Sequence, residues 1–396
     1  MYDKTFYIIG ISDSRKLFLS PEVRKIIDKG KVFSGGKRHH ELVKEILPEG
    51  SLWIDVTSPL DKVFEAYAPF EHIVVFASGD PLFYGFANTL RKEYPEAEMN
   101  IFPYFNSLQM LAHRLVMPYA SMRMVSLTGR PWQQLDVALI ENQKLIGILT
   151  DKTKTPARIA EYLLYYGYDN YRVFVGEQLG NDSEKVSEMT LKEASKINFV
   201  QPNCVILQQI KPRHRFMGIP EDEFVHLPGR KNMITKMPVR LYSLSQLDLR
   251  ERKTMWDIGF CTGSVSIEAK LLFPDLEIIA FEKRKESERI LEENIRKFGV
   301  PGIRGIIGDF MDMDLSELPK PDAVFIGGHG GKLKEMIMKV ASFMRQGGII
   351  VFNSVIQENC IIFREAVESC GLILSGSHPL KYDDHNPITI MKAICV

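Results

Sequence analysis

Cysteine is scarce in this 396-residue sequence, and neither sign of charge is in excess. The five cysteines (Cys204, Cys261, Cys360, Cys370 and Cys395) include no C-x-x-C pair. An odd, scattered set suits neither a disulfide framework nor a zinc site, and a reducing cytoplasm is the expected setting. Lysine plus arginine and aspartate plus glutamate each total 50. No net field therefore draws the chain to nucleic acid or to an anionic membrane, although a local basic patch is compatible with that balance. No apolar run is long enough to span a bilayer, and the opening M-Y-D-K-T-F-Y-I-I-G lacks the basic-then-apolar pattern of a leader. A soluble protein is expected. Internal repeats, low-complexity tracts, a Ser-His-Asp set and a cluster with metal-ligand spacing are absent as well.

What is present is alternation. The length is too great for one ordinary core and fits two domains, or three. In the first 208 residues, apolar runs at 6–9, 52–56, 73–77 and 146–149 read as buried, parallel-type strands. Helical patterns lie at 21–28, 83–93, 107–115 and 156–166, and a strand at 204–208 closes the region. The stretch 209–220, with two prolines and mixed charge, reads as a linker and divides the chain into 1–210 and 211–396. Beyond it strand and helix patterns alternate again from Thr254 to Ser369. Two last strands, 372–375 and 388–394, are too close for a helical crossover and should pair antiparallel at one edge.

The most informative stretch is Trp256–Ala269, W-D-I-G-F-C-T-G-S-V-S-I-E-A. An apolar strand ends in an aspartate, turns through glycines and enters a helix. That layout offers free N–H groups and a helix N-terminus to a nucleotide-like ligand. A dinucleotide fingerprint fails on spacing, because Cys261 and Ser264 stand at its two later glycine positions. D-x-G-x-x-T-G instead resembles the first motif of class I S-adenosylmethionine (SAM) methyltransferases. In that setting Asp257, Gly259, Cys261, Thr262 and Gly263 form the cofactor turn. Cys261 is tolerable there if its φ is negative, and its thiol reads as packing. Glu282, ending the next strand, can accept both ribose hydroxyls, and Gly308, Asp309 and Phe310 can bracket the adenine. Gly327-Gly328-His329-Gly330-Gly331 exposes N–H groups that can seat a carboxylate. His329 and Asn353 are candidate catalytic residues.

A second site lies upstream. Ala77–Gly85 follows an apolar strand, with Asp80 as a helix cap and Pro81 in the first turn. S-G-D-P-L-F-Y-G resembles the signature of the tetrapyrrole methylases, a different SAM-using fold. Further strings agree in order: Ser34–His39 with G-G-x-R-H, Asn106–Gln109, Val125–Arg130, Leu149–Asp151, and Gly176–Gly180 with E-x-L-G. The resemblance implies cofactor contacts at Ser78, Gly79, Asp80, Asn106, Ser107 and Thr150. One departure stands out: the family opens with G-x-G-P-G, whereas this chain has Gly10-Ile11-Ser12-Asp13-Ser14.

The pairing of the two domains resembles the decarboxylating precorrin-6Y C5,15-methyltransferase family of corrin synthesis, over essentially the whole chain. The implied fold is α/β, a two-lobed tetrapyrrole methylase fold followed by a Rossmann-like, seven-stranded class I fold. The implied chemistry is SAM-dependent methylation of a precorrin at C-5 by the first domain. Methylation at C-15 and loss of the C-12 acetate carboxyl fall to the second. Thr235 joins the cofactor set. Lys37, Arg38, Arg130, Lys236, Arg240, Gly328, Gly330 and Lys332 are candidates for the substrate's carboxylates. A homo-oligomer is implied, and no nucleic acid, membrane or protein-bound metal is expected. The competing readings are a SAM methyltransferase acting on RNA or another small molecule, and a first domain that serves only as a non-catalytic scaffold.

Overall fold

The apolar run T-F-Y-I-I-G-I becomes strand β1 (Thr5–Ile11), buried along nearly its whole length. The computed structural model describes residues 4–14, 17–382 and 386–396. After β1 follow α1 (Pro21–Lys29), β2 (Val32–Gly35), α2 (Lys37–Val43), β3 (Leu52–Asp55), α3 (Asp61–Tyr67), β4 (His72–Ser78), α4 (Phe86–Glu93), β5 (Glu98–Phe102) and α5 (Ser107–Arg114). Helix α1 starts where the Ser20 side chain accepts from Val23 N–H and Pro21 presets the first turn. The strands form one parallel sheet in the order β3-β2-β4-β1-β5. Strands β1 and β4 therefore finish side by side, with Ile11 opposite Ser78.

Three expectations need correction here. Strand β3 is not buried: it is the sheet edge, and Leu52 and Asp55 are exposed. Helix α4 begins at Phe86 rather than Phe83, because Tyr84 takes φ +53° and breaks the helical run. Asp80 accordingly caps a turn, accepting from Leu82 N–H at 2.9 Å.

A second sheet follows, built from β6 (Arg123–Ser126), β7 (Leu145–Leu149), β8 (Tyr171–Glu177), β9 (Lys185–Thr190) and β10 (Asn203–Gln209). Helices α6 (Gln133–Ile140), α7 (Pro156–Tyr165) and α8 (Leu191–Ala194) connect them. The order is β6-β7-β10-β8-β9, and only β6 and β7 run parallel. The apolar run of β7 signalled burial on both faces, which does not fix strand direction. The chain divides into two compact units. One takes the residues up to Arg130 together with 144–161 and 171–210; the other takes 131–143, 162–170 and 211–396. Residues 210–220 contain no helix or strand.

The second unit carries α9 (Met237–Leu247), β11 (Thr254–Ile258), α10 (Ser264–Leu272), β12 (Glu277–Glu282), α11 (Glu286–Phe298) and β13 (Ile303–Ile307). It continues through β14 (Ala323–Ile326), α12 (Leu333–Phe343), β15 (Ile349–Ser354), α13 (Gln357–Ser369), β16 (Ile373–Leu380) and β17 (Ile388–Ile394). The sheet order is β13-β12-β11-β14-β15-β17-β16, parallel except for β17, which is antiparallel to both neighbours. Trp256, Ile258, Phe281, Ile326 and Phe352 bury one face of it. Strand order reverses between β11 and β14, so the loops leaving these two strands diverge and open a crevice at their carboxyl ends. Among the described residues no helix is long and apolar enough to cross a membrane.

Candidate functional site

The crevice at β11 and β14 is a cavity of about 770 Å³. Gly259 takes φ +80°, and a Cβ on it would lie 2.7 Å from Gly328 N, so only glycine lets the two loops pass. Gly263, at φ +78°, caps α10. Asp257 is buried: Ser266 Oγ donates to its Oδ2 at 2.6 Å, while Oδ1 has no partner among the described residues. Burial, more than any neighbour, pushes its carboxyl up to about 7. Thr262 Oγ1 is likewise buried and unpaired. Both residues line the cavity, and the pair fits a ligand that brings an ammonium group to them.

Glu282 also lines the cavity, but its carboxylate is partly engaged. Oε1 accepts from Arg284 N (3.0 Å) and Nη1 (2.9 Å), and Oε2 from Cys261 N (3.0 Å). Each oxygen has two lone pairs, so only Oε2 keeps one. That lone pair is open to a ribose hydroxyl. Cys261 has φ +53°, opposite in sign to the expectation. Its Sγ donates to Met233 O at 2.9 Å, and burial followed by the Glu282 charge pushes the thiol up to about 11. A protonated, hydrogen-bonded thiol is a packing group, not a nucleophile.

Gly308, Asp309 and Phe310 line the same cavity, and Lys339 Nζ binds the carbonyls of Phe310, Met311 and Met313 at 2.7–2.9 Å. Thr235, Lys236, Gly328, His329, Gly330, Lys332 and Asn353 line the same cavity. His329 Nδ1 accepts from Gly331 N–H at 3.3 Å, and burial lowers its pKa, so the ring is neutral. Asn353 donates to Ser243 Oγ at 2.8 Å. Lys332 lies 3.9 Å from Asp309 Oδ2, a loose pair that leaves its ammonium available. Arg240 is different. It is fully buried, bonded to Glu268 at 3.1 Å, to Thr235 O at 2.8 Å and to Ile219 O. Its expected contact with substrate is corrected: the guanidinium holds the segment bearing Thr235 and is closed to ligand.

The first unit has a cavity of about 410 Å³, lined by Ser78, Gly79, Asn106, Ser107 and Arg38. A Cβ on Gly10 would sit 1.9 Å from Gly79 O, and one on Gly79, at φ +60°, would sit 2.9 Å from Asn106 Cα. Gly79 N–H binds Ile11 O and Tyr104 N–H binds Gly79 O. The loop lacking the family's two later glycines and its proline thus still packs on the S-G-D-P turn. Asn106 Oδ1 is spent on capping α5 through Gln109 N–H. Asp80, Thr150, Lys37 and Arg130 stand outside the lining. Thr150 Oγ1 donates to Asn203, Arg130 binds Ser126 Oγ at 2.7 Å and stacks over Tyr84, and Lys37 is exposed at the start of α2.

Sequence reasoning missed His39, Met233, Lys283 and Lys339. Lys283 follows Glu282 in F-E-K-R and lies beside Gly330 at the cavity, so its position after a strand-end acid was a usable signal. Nothing in the string around Lys339, on α12, announced that it binds the carbonyls of Phe310, Met311 and Met313.

The family model for Tetrapyrrole (Corrin/Porphyrin) Methylases matches residues 5–195, and that for the Precorrin methyltransferase domain matches 229–379. A precorrin-6Y C(5,15)-methyltransferase [decarboxylating] of Sinorhizobium sp. is 31% identical over 354 residues, 88% of this chain and 84% of that protein. A cobalt-precorrin-6B C(15)-methyltransferase (decarboxylating) of Salmonella typhimurium is 38% identical over 133 residues, 34% of this chain and 68% of that protein. A solved precorrin-6Y C5,15-methyltransferase structure from Geobacter metallireducens shares 33% identity, covering 46% of this chain and 98% of that one, with a TM-score of 0.42.

Proposed function

The chain belongs to the precorrin-6Y C5,15-methyltransferase (decarboxylating) family, and from that premise we propose that its two cavities divide the reaction between them. Residues 1–210 methylate C-5 of the macrocycle; residues 211–396 methylate C-15 and remove the C-12 acetate carboxyl. The observation that carries the division is that each unit contains its own complete, glycine-pinched cavity. The alternative of an RNA substrate gains nothing from the family.

S-adenosyl-L-methionine is the methyl donor, and when bound it supplies a methyl already activated on a sulfonium. In the second unit, Asp257 and Thr262 offer buried acceptors to its ammonium, Glu282 Oε2 takes a ribose hydroxyl, and Phe310 walls the adenine. The nucleophile is a ring carbon made electron-rich by the macrocycle's own conjugation. The chain's task is to align reactants, exclude water and hold the substrate's carboxylates. Lys236, Lys283 and Lys332 line the same cavity and bring positive charge to it. Both ring nitrogens of His329 are engaged, Nδ1 by Gly331 N–H and Nε2 by the Asn359 amide 3.3 Å away, so the ring can act toward substrate only by giving up the Asn359 contact.

Mass spectrometry of the product from precorrin-6Y tests the reading. The expected product carries two added methyl groups and has lost one CO₂. A single methylation without CO₂ loss would overturn it.

A further inference from the structure

The cavity of the first unit contains a hydroxyl whose proton direction is fixed by its neighbours. Ser78 Oγ lies 2.9 Å from Arg38 Nη2 and 2.9 Å from His39 Nε2. A guanidinium can only donate, so Ser78 accepts from Arg38. Gly36 N–H donates to His39 Nδ1 at 3.2 Å. That nitrogen therefore holds a lone pair, and the proton of the neutral ring sits on Nε2. Burial, and then the Arg38 charge, push His39 down to about 4, which keeps the ring neutral. His39 Nε2–H consequently donates to Ser78 as well. With both lone pairs of Oγ occupied, the Ser78 proton is left facing the open cavity, where its side chain is exposed. Arg38 is itself anchored by Asp13 at 3.1 Å, a residue of the loop that departs from G-x-G-P-G.

We infer that Ser78 is an obligate hydrogen-bond donor to a ligand carboxylate, and that His39 and Arg38 are positioning residues that aim its proton. The inference rests on reading this cavity as the C-5 site. A carboxylate is the matching class because the hydroxyl is polarised by a cation and a ring N–H. The neighbouring guanidinium also has Nη1 unpaired among the described residues. Two adjacent donors, one of them charged, fit two carboxylate oxygens. This makes Arg38 part of the donor assembly rather than a lone surface charge. Both the methionine end of SAM and the side chains of a tetrapyrrole present such a group.

The test uses the full-length enzyme, with SAM and precorrin-6Y varied separately and the site of methylation read by mass spectrometry. Ser78→Ala is expected to lower C-5 methylation by about 10- to 100-fold, the size of a lost hydrogen bond to a charged group. A raised KM for SAM assigns the carboxylate to the cofactor, and a raised KM for precorrin-6Y assigns it to the macrocycle. C-15 methylation stays intact and reports that the variant is folded. His39→Gln puts an amide nitrogen where Nε2 stood and gives up the Nδ1 acceptor; His39→Asn does the reverse. The glutamine variant should stay within about threefold of the unmodified enzyme, while the asparagine variant falls with Ser78→Ala. The opposite order, which a merely structural cap on Gly36 would give, overturns the inference, as do unchanged KM values in Ser78→Ala. An unmodified enzyme that leaves C-5 bare overturns the reading of the cavity and the inference together.

Discussion

The cavity of the second unit grows out of a single sheet, whereas that of the first is assembled from two. In the second cavity two buried acceptors, Asp257 Oδ1 and Thr262 Oγ1, have no partner among the described residues, and a ligand can complete them. Around Ser78 the polar groups largely satisfy one another, and the Ser78 proton and Arg38 Nη1 are left over for a ligand. The first arrangement makes affinity depend on charge. The second makes it depend on geometry, since Arg38, His39 and Ser78 must all keep their places.

The largest effect should come from steric damage that separates the two. In Gly10→Ala the new Cβ would lie 1.9 Å from Gly79 O and 2.7 Å from Tyr104 N, so backbone has to move. A shift of that order at the turn should lower C-5 methylation by roughly 100-fold and stability by about 1–3 kcal/mol. C-15 methylation should persist, as counted by product mass. Gly259→Ala, with φ +80° and Gly328 in the way, should show the mirror image. If either variant silenced both methylations, the independence of the two cavities would be lost.

In the second cavity a single buried anion carries the charge. Asp257→Asn preserves shape and removes the anion, and C-15 methylation should drop by about 10- to 100-fold with C-5 methylation untouched. The same residue predicts a pH effect. Its ordinary value is 3.8 and the folded value is raised to about 7, so the folded protein holds this proton more tightly than the unfolded chain. Its contribution to stability is complete below pH of about 4 and is lost as pH rises through about 7. A bound ammonium favours the ionised form, so binding near pH 7 releases a proton, and C-15 methylation should weaken as pH falls below 7. Calorimetry in buffers of different ionisation enthalpy would detect that proton, and Asp257→Asn should abolish it.

How far the sequence reveals each site follows from the same contrast. Asp257, Gly259, Gly263 and Glu282 were legible because one contiguous strand–turn–helix string and the end of the next strand carry them. Ser78, His39 and Asp13 come from the end of β4, the first turn of α2 and the loop after β1, and only the resemblance placed those segments together. Arg240 looked like an available cation because nothing in M-P-V-R announces Glu268, 28 residues later on α10, as its buried partner. The start of α4 was misplaced because the positive φ of Tyr84 leaves no mark in residue type. The apolar runs at 6–9, 52–56, 73–77, 146–149 and 204–208 all became strands, whereas β2 and β8 were missed although buried; the edge position of β3 and the antiparallel pairing of the second sheet were not legible, since neither property is written in hydrophobicity.

The smallest effect, and the sharpest, concerns Cys261. Left-handed backbone costs a residue with a Cβ about 1–2 kcal/mol, yet cysteine holds φ +53° here and donates to Met233 O on the cavity lip. Cys261→Gly should relieve that cost and raise stability by about 1 kcal/mol, measured by denaturant midpoint. By freeing the lip it should also raise the KM for SAM in C-15 methylation by about two- to fivefold. Cys261→Ser keeps both the strain and a donor, and should behave like the unmodified enzyme. The first cavity has its lip tied by Asp13 and Arg38 instead, so C-5 methylation should ignore both changes. A glycine variant that is more stable and binds SAM as tightly as before would show that the thiol does not hold the lip, and that the strain at Cys261 has no bearing on the cofactor.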